Sequence, residues 1–285
     1  MTTESRFDRQ EAFFGKEGQR RLNIARVAIV GLGGLGCHVN QQLAYLGVRN
    51  VALIDGDVIT GSSLNRVVGA AVDDVTASTS KVVVAARLIA AVDPTVRPDL
   101  IPEDFRRMAG FKAIREADWV FSCIDDDVSR LALTELCSAY ARPCFDLATD
   151  TGTDEFGKWF GGRVVLADGN RCVVCLDLLD QERMRERTAS DTAKREDDGI
   201  YGVRRRDLGD RSPSVVSLNG VVASAAVTEF MVAVTGLRDP QTHLEYDGRR
   251  GVLRVDRTVP RSDCYYCKGL WGQKERAGAE RHISR

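Results

Sequence analysis

Val-Ala-Ile-Val-Gly-Leu-Gly-Gly-Leu-Gly, residues 27–36, runs a short apolar strand into a glycine-rich turn. About twenty residues on, a second apolar run, Val51-Ala-Leu-Ile54, ends in the acid Asp55. Strand, glycine turn, helix, strand and acid in that order form the layout of a nucleotide-binding βαβ unit. Each position has a physical task. Gly31 makes the tight turn, Gly33 and Gly34 let backbone N–H groups approach a phosphate, and Gly36 lets helix and strand pack closely. The helix that follows offers unpaired N–H donors and the positive end of its dipole to an anion. Asp55 stands where a carboxylate accepts from a ribose hydroxyl. A glycine turn used only for packing is the alternative, and the strand context and the acid argue against it.

Strand and helix alternate outward from this unit. A helix over about 34–46 follows the glycines, and another over about 79–92 stops at Asp93-Pro94. A strand at 119–123, a helix over about 128–141 and a strand at 143–147 come next. Such alternation predicts an α/β fold, a Rossmann-like and mostly parallel sheet covered on both faces. Past Thr149 the pattern changes. Residues 159–166 read as a strand, and 243–246 with 252–255 read as a hairpin around Asp247-Gly248, so antiparallel strands extend one edge. Residues 6–26 read as short helices leading into the first strand. Residues 177–211 form a highly charged stretch, read as an excursion from the domain. A long apolar helix over about 214–234 returns the chain to the core.

The chain has 285 residues, 44% hydrophobic and 28% charged, with a formal net charge of -1, which gives no electrostatic reason to expect nucleic acid or an anionic membrane as partner. No uninterrupted apolar run approaches the roughly eighteen residues of a membrane span. The opening Met-Thr-Thr-Glu-Ser-Arg lacks the apolar stretch of a secretion signal. A cytoplasmic location is expected. Eight cysteines in that setting are not a disulfide framework. Four form two CxxC pairs, Cys172-Val-Val-Cys175 and Cys264-Tyr-Tyr-Cys267, the usual presentation of four thiolates to zinc. A set of four thiolates leaves no position for water, so the zinc is expected to be structural; a redox CxxC is the rival reading. Cys37, Cys123, Cys137 and Cys144 read as buried small hydrophobes.

Near the carboxyl ends of strands, or at helix starts, lie Asp57, Ser62-Ser-Leu-Asn65-Arg66, Lys81 and Asp125. In an open α/β sheet that rim is where ligands bind. Cations and acids converging on a phosphate-cradling loop point to phosphoryl chemistry with magnesium. Each residue has a plainer reading. Asp57 caps a turn, Arg66 pairs with a surface acid, Lys81 is a solvated helix start, and Asp125-Asp126-Asp127 is an acidic N-cap. Their joint order favours the chemical reading.

The glycine string, Leu-Ile-Asp-Gly-Asp-Val at 53–58, Ser-Ser-Leu-Asn-Arg at 62–66, Lys81, Cys-Ile-Asp-Asp at 123–126, Arg6-Phe-Asp-Arg9-Gln and the two knuckles resemble the ThiF/MoeB/HesA family, bacterial relatives of ubiquitin-activating enzymes. The likeness runs from about residue 6 to residue 268. It implies adenylation with ATP of the C-terminal carboxylate of a ubiquitin-like or sulfur-carrier protein ending in Gly-Gly, by a homodimer. It implies a helical arm at 1–25, an adenylation domain at 26–270 and a tail at 271–285. It further implies that Asp55 holds the ribose with Asp57 nearby, that Asn65 belongs to the nucleotide site, that Arg66, Lys81 and, in trans, Arg9 contact the triphosphate, and that Asp125 binds Mg2+. The chain departs from the pattern in three places. No cysteine lies between Leu176 and Cys264, where many members carry the thiol that takes a thioester or persulfide. Cys123 and Cys144 are the nearest by position, and the reading preferred is an enzyme that stops at the acyl-adenylate. Ser63 and Val67 replace residues that are polar in many relatives.

Three rivals stand beside this reading. A nicotinamide-dependent dehydrogenase shares the βαβ unit but has no use for Lys81, Arg66 and Asp125 together. Adenylation of a small-molecule or tRNA-base carboxylate would suit a more basic surface. A non-catalytic module would bind a ubiquitin-like tail without chemistry.

Overall fold

The computed structural model describes residues 5–179 and 214–283. Eight strands form one sheet in the order β3-β2-β1-β4-β5-β6-β7-β8. Helix α1 (Asp8–Ile24) leads into β1 (Arg26–Val30), α2 (Gly34–Leu46) and β2 (Asn50–Ile54). A short α3 (Val72–Thr76) precedes α4 (Lys81–Val92), β3 (Asp99–Ile101), α5 (Met108–Glu116), β4 (Trp119–Ser122) and α6 (Asp127–Ala139). The long hairpin β5 (Cys144–Asp154) and β6 (Gly157–Ala167) follows, then α7 (Val216–Thr235), β7 (His243–Asp247) and β8 (Val252–Val255). Strands β1 to β5 pair in parallel, and β6 to β8 are added antiparallel. The expected parallel sheet with antiparallel additions is the observed one.

The elements end where backbone chemistry ends them. Helix α2 stops at Gly47, in the left-handed region with φ 87°, and α7 at Gly236 with φ 78°. Helix α4 gives way at Asp93, whose extended backbone suits the residue before Pro94. The arm expected as short helices is α1, broken at Gly15 with φ 77°.

Each face of the sheet carries a core. On one, Leu22, Val39, Leu43, Ile89, Val222 and Phe230 from α1, α2, α4 and α7 pack on Ile29, Leu53, Phe121 and Phe145. Phe121 stacks on Phe145 at 5.3 Å, and Phe230 meets Phe121 edge-on at 5.6 Å, such pairs each adding about 0.5–1.5 kcal/mol beyond their burial. On the other, α5, α6 and both cysteine knuckles cover Ala28, Val30, Val120 and Val165. Helix α7 is long and apolar enough, by length and composition, to cross a membrane. Here it is the core helix, with Val222, Ala223, Ala226 and Phe230 at 1% exposure or less.

Two elements exceed the sequence expectation, because β5 and β6 run eleven residues each where 143–147 and 159–166 were expected. Thr149-Asp-Thr-Gly-Thr-Asp154 has the composition of a loop and becomes strand through pairing with Gly157–Gly162. Of the charged stretch 177–211, only residues 177–179 lie among the described residues.

Candidate nucleotide site and cysteine cluster

β1 has β2 on one side and β4 on the other, so the loops leaving β1 and β4 diverge and open a crevice at the carboxyl ends of the strands. The glycine turn forms one wall. Gly31 has φ +88°, its N–H donates to Ile54 O at 2.9 Å, and a Cβ there would lie 2.7 Å from Cys123 O. A Cβ on Gly36 would meet Gly31 O at 1.9 Å. Gly33, the N-cap of α2, faces open space. Gly34 has a task the sequence reading missed, since its Cβ would lie 2.2 Å from Asn219 Nδ2 of α7. Asn219 is held in turn by Thr149 and Ser214, at 3.1 and 3.0 Å. The glycines therefore fit the crossing of strand, turn and two helices, and leave the first turn of α2 with open donors.

Asp55 lies beneath this turn. Its Oδ2 accepts from Leu32 N at 2.6 Å and its Oδ1 from Asp57 N at 2.8 Å. Lys81, first residue of α4, places Nζ 3.6 Å from Asp55 Oδ2 and 2.6 Å from Asp57 Oδ2. Burial pushes the Asp55 carboxyl above its ordinary range, while Lys81 and the two N–H donors pull it back. Backbone sets Lys81 there, because its N–H donates to Asp57 O at 3.0 Å.

Arg66 folds onto its own turn and donates to Ser62 O, and to Asn65 Oδ1 at 3.3 Å. Asn65 is exposed beside it. Ser63 is buried and accepts from Thr60 N at 3.1 Å, and Val67 packs with Ile59, Cys37 and Val84. Both departures from the family pattern thus serve the turn's own packing. The three acids after β4 divide their tasks. Asp126 caps α6 by accepting from Ser129 N at 2.9 Å, Asp127 lies 3.5 Å from Arg130 Nε, and Asp125 stands exposed on the rim.

Arg9 is not brought to this crevice. It is exposed on α1, and the arm is moored at the far end of α2, where Arg6 donates to Ala44 O at 3.2 Å and to Val92 O at 3.0 Å. The helix from Gly34 to Ala44 rises about 15 Å, so Arg9 lies remote from its own chain's glycine turn. His38 faces Gly220 on α7, His243 is buried 3.4 Å from Asp256, and His282 meets Glu135 at 3.1 Å.

Sequence reasoning missed a buried polar group under the β4–α6 turn. Arg130 donates to Asp146 Oδ1 at 2.6 Å and to Ile124 O, and Ser122 Oγ donates to Asp146 Oδ2 at 2.8 Å. Arg130 thereby holds the turn that carries Asp125. No local pattern announces the pair, because α6 and β5 bring it together.

The knuckles meet as expected. The sulfurs of Cys172, Cys175, Cys264 and Cys267 all lie within 4.8 Å of one another, with 172–264 and 175–267 both at 3.8 Å. Zinc with S bonds of about 2.3 Å in a tetrahedron separates its sulfurs by about 3.8 Å, so this buried set could hold zinc. Arg261 N donates to Cys175 O at 3.1 Å, which adds a backbone tie between the knuckles' segments. Cys37, Cys123, Cys137 and Cys144 are buried, as expected.

Known proteins resemble this chain in sequence or in fold. The chain is 35% identical over 168 residues to the molybdopterin-synthase adenylyltransferase of Escherichia coli (58% of this chain, 64% of that protein). It is 32% identical over 129 residues to the sulfur carrier protein adenylyltransferase of Thermus thermophilus (45% and 47%). The match thus spans less than two thirds of either relative's length. Among solved structures, E. coli MccB with ATP superposes with a TM-score of 0.68 at 18% identity, covering 93% of this chain and 75% of that one, which establishes likeness of fold. From residue 7 to residue 266, from the arm through the glycine turn to the second knuckle, the sequence matches the ThiF family, and the chain belongs to it.

Proposed function

We propose that this chain is an ATP-dependent adenylyltransferase. It joins the C-terminal carboxylate of a ubiquitin-like or sulfur-carrier protein ending in Gly-Gly to AMP and releases pyrophosphate. The observation that carries the reading is the convergence of Leu32 N–H, Asp55 and Lys81 under the open first turn of α2, with Asp125 on the facing wall. Asp55 suits the ribose, the α2 turn suits phosphate, and Lys81 is a cation within reach of both. The relatives named above as adenylyltransferases support the same chemistry.

The reaction makes modest demands on this site. A free terminal carboxylate has a pKa of about 3.3–3.7 and is already ionised at neutral pH, so no general base is needed. One carboxylate oxygen bonds to the α-phosphorus as the bond to the pyrophosphate oxygen breaks, and fixed cations stabilise the charge that accumulates. Lys81 and Arg66 supply them from this chain. Arg9 supplies one from a second copy, since the arm's mooring keeps it from its own crevice, and the working unit is a homodimer. Asp125, with Asp57 nearby, would hold Mg2+, which neutralises phosphate oxygens when bound. Zinc in the four-cysteine set is structural.

The enzyme stops at the acyl-adenylate. Burial pushes the Cys123 thiol up, and Cys144, hydrogen-bonded to Cys137 and buried, is raised as well, which unsuits both as nucleophiles. The reduced thiols fit a cytoplasmic setting. Labelled pyrophosphate exchange into ATP tests the reading. Exchange should require a small Gly-Gly-ending β-grasp protein. Tight ATP binding with no exchange across a panel of such proteins would leave only a binding module.

A further inference from the structure

One guanidinium closes two helices at the end of α2 remote from its glycine turn. Arg6 donates from Nη1 to Val92 O at 3.0 Å and from Nη2 to Ala44 O at 3.2 Å, carbonyls in the last turns of α4 and α2. The last carbonyls of a helix have no donor within it, and the negative end of its dipole lies there, so a cation suits both. Asp93, just past α4, sets a carboxylate 3.9 Å from Arg6 and 3.6 Å from Arg49. The same guanidinium lies over the Phe7 ring, 4.4 Å from its centroid. Phe7 in turn covers Gly47, where a Cβ would lie 2.6 Å from the ring. Gln10 completes the contact by donating to Tyr45 O at 3.0 Å.

Arg9 lies among these contacts and shares none of them. Arg6, Phe7 and Gln10 meet α2 and α4, while Arg9, about 100° round α1 from Gln10, is exposed. The partners all belong to the arm's own chain, so the arm is set before a second copy arrives, and ordering it adds no entropic cost to association. Beyond Arg9, α1 is broken at Gly15, which has φ +77° and open space about it. The half that resumes packs on α7, where a Cβ on Gly18 would lie 3.3 Å from Thr235. Residues 8–14 are therefore held between a glycine break and the Arg6 anchor.

We propose that Arg6 is the positioning residue of the donated arginine: by clamping the arm to the ends of α2 and α4, it aims Arg9 at the crevice of a second copy. This rests on the adenylation reading above and on its shared site. A guanidinium suits the task because its two terminal nitrogens, fixed in one plane, hold carbonyls of two different helices at once. Alanine at this position leaves both carbonyls to water and frees the first half of α1 to swivel at Gly15. The rival role runs through the chain's own crevice, since α2 opens on the glycine turn and α4 opens with Lys81. In a dimer the two roles fall on different subunits.

Mixing full-length variants separates the roles, with pyrophosphate exchange as the readout and a Gly-Gly-ending carrier that supports it. Arg6→Ala should lower exchange by about tenfold or more, and Arg6→Lys should recover part of the loss. Mixed in equal amounts with Asp125→Ala, Arg6→Ala should regain up to about a quarter of native activity, because its sound crevice receives the sound arm of the other subunit. Mixed with Arg9→Ala it should regain nothing, because both arms are then defective. The reverse pattern, recovery with Arg9→Ala and none with Asp125→Ala, would place the effect in the crevice of the same chain and overturn the assignment. Recovery with neither, or native exchange by Arg6→Ala alone, would overturn it too and leave adenylation standing. Failure of Arg9→Ala and Asp125→Ala to complement each other, once subunit exchange is shown, would remove the shared site and this inference with it. Failure of every carrier to support exchange would remove the adenylation reading itself.

Discussion

Lys81 Nζ lies 2.6 Å from Asp57 and 3.6 Å from Asp55, so one ammonium bridges the two acids that follow β2. Taking a phosphate oxygen means loosening at least the exposed Asp57 contact, and Asp57 is the partner that water can replace. Lys81→Gln should lower the adenylation rate by about 10²–10³, the usual cost of one fixed charge-stabilising donor. It should also shift the acid limb of the rate profile. Burial already raises the Asp55 carboxyl, and Lys81 opposes that rise. Removing the cation raises Asp55 further, so the ionised form that the proposal assigns to the ribose is lost at a higher pH than in the native protein. A profile of kcat/KM for ATP between pH 5 and 8 checks the sign, and an acid limb that moved downward would contradict it.

Asp125 is exposed on the rim and Asp126 does the capping, so Asp125→Ala should leave the melting temperature within about a degree while abolishing exchange. Because the arm keeps Arg9 from its own crevice, Arg9→Ala and Asp125→Ala should complement each other. An equimolar mixture of the two inactive proteins should recover up to about a quarter of native activity, since half the two-fold dimers are mixed and each has one intact site. No recovery, once subunit exchange is demonstrated by mass spectrometry, would count against the shared site.

The glycines separate by role. Gly36→Ala drives a Cβ to within 1.9 Å of Gly31 O, and should destabilise by roughly 1–3 kcal/mol or more, visible in urea unfolding. Gly33 has φ −73° and open space around it, so Gly33→Ala should fold normally and lose ATP affinity, because the methyl would occupy the room that the proposed function gives to phosphate. Calorimetric titration with ATP distinguishes the two. Unchanged affinity in Gly33→Ala would mean that phosphate binds elsewhere.

Elemental analysis should find one zinc per chain, and Cys264→Ser should lose it. Four buried sulfurs within 4.8 Å of one another repel as thiolates without a cation, so chelation should lower the thermal midpoint and expose residues 264–283 to protease before the sheet opens. Thiol titration gives a second readout, with four thiols becoming reactive on chelation. A metal-free protein of undiminished stability would overturn the structural role.

Much of this protein is legible as sequence because its signals are local. The glycine turn, Asp55, the cap before α6 and the stop at Asp93-Pro94 each lie within a few residues of what they control, and the two CxxC pairs declare a ligand set without stating how they meet. What escaped has its cause in pairing across distance. Thr149–Asp154 reads as loop until β6 lies beside it, and Gly34 looks like a phosphate residue until Asn219, from a helix far along the chain, is found against it.

Short-range periodicity and backbone stereochemistry, written residue by residue, therefore determined the α/β class, the nucleotide unit and the candidate metal ligands. The tertiary structure alone decided which charges meet. It placed Lys81 on Asp57, Asp146 on Arg130 and Glu245 on Arg254. Charges couple through space, and only the folded sheet sets those distances.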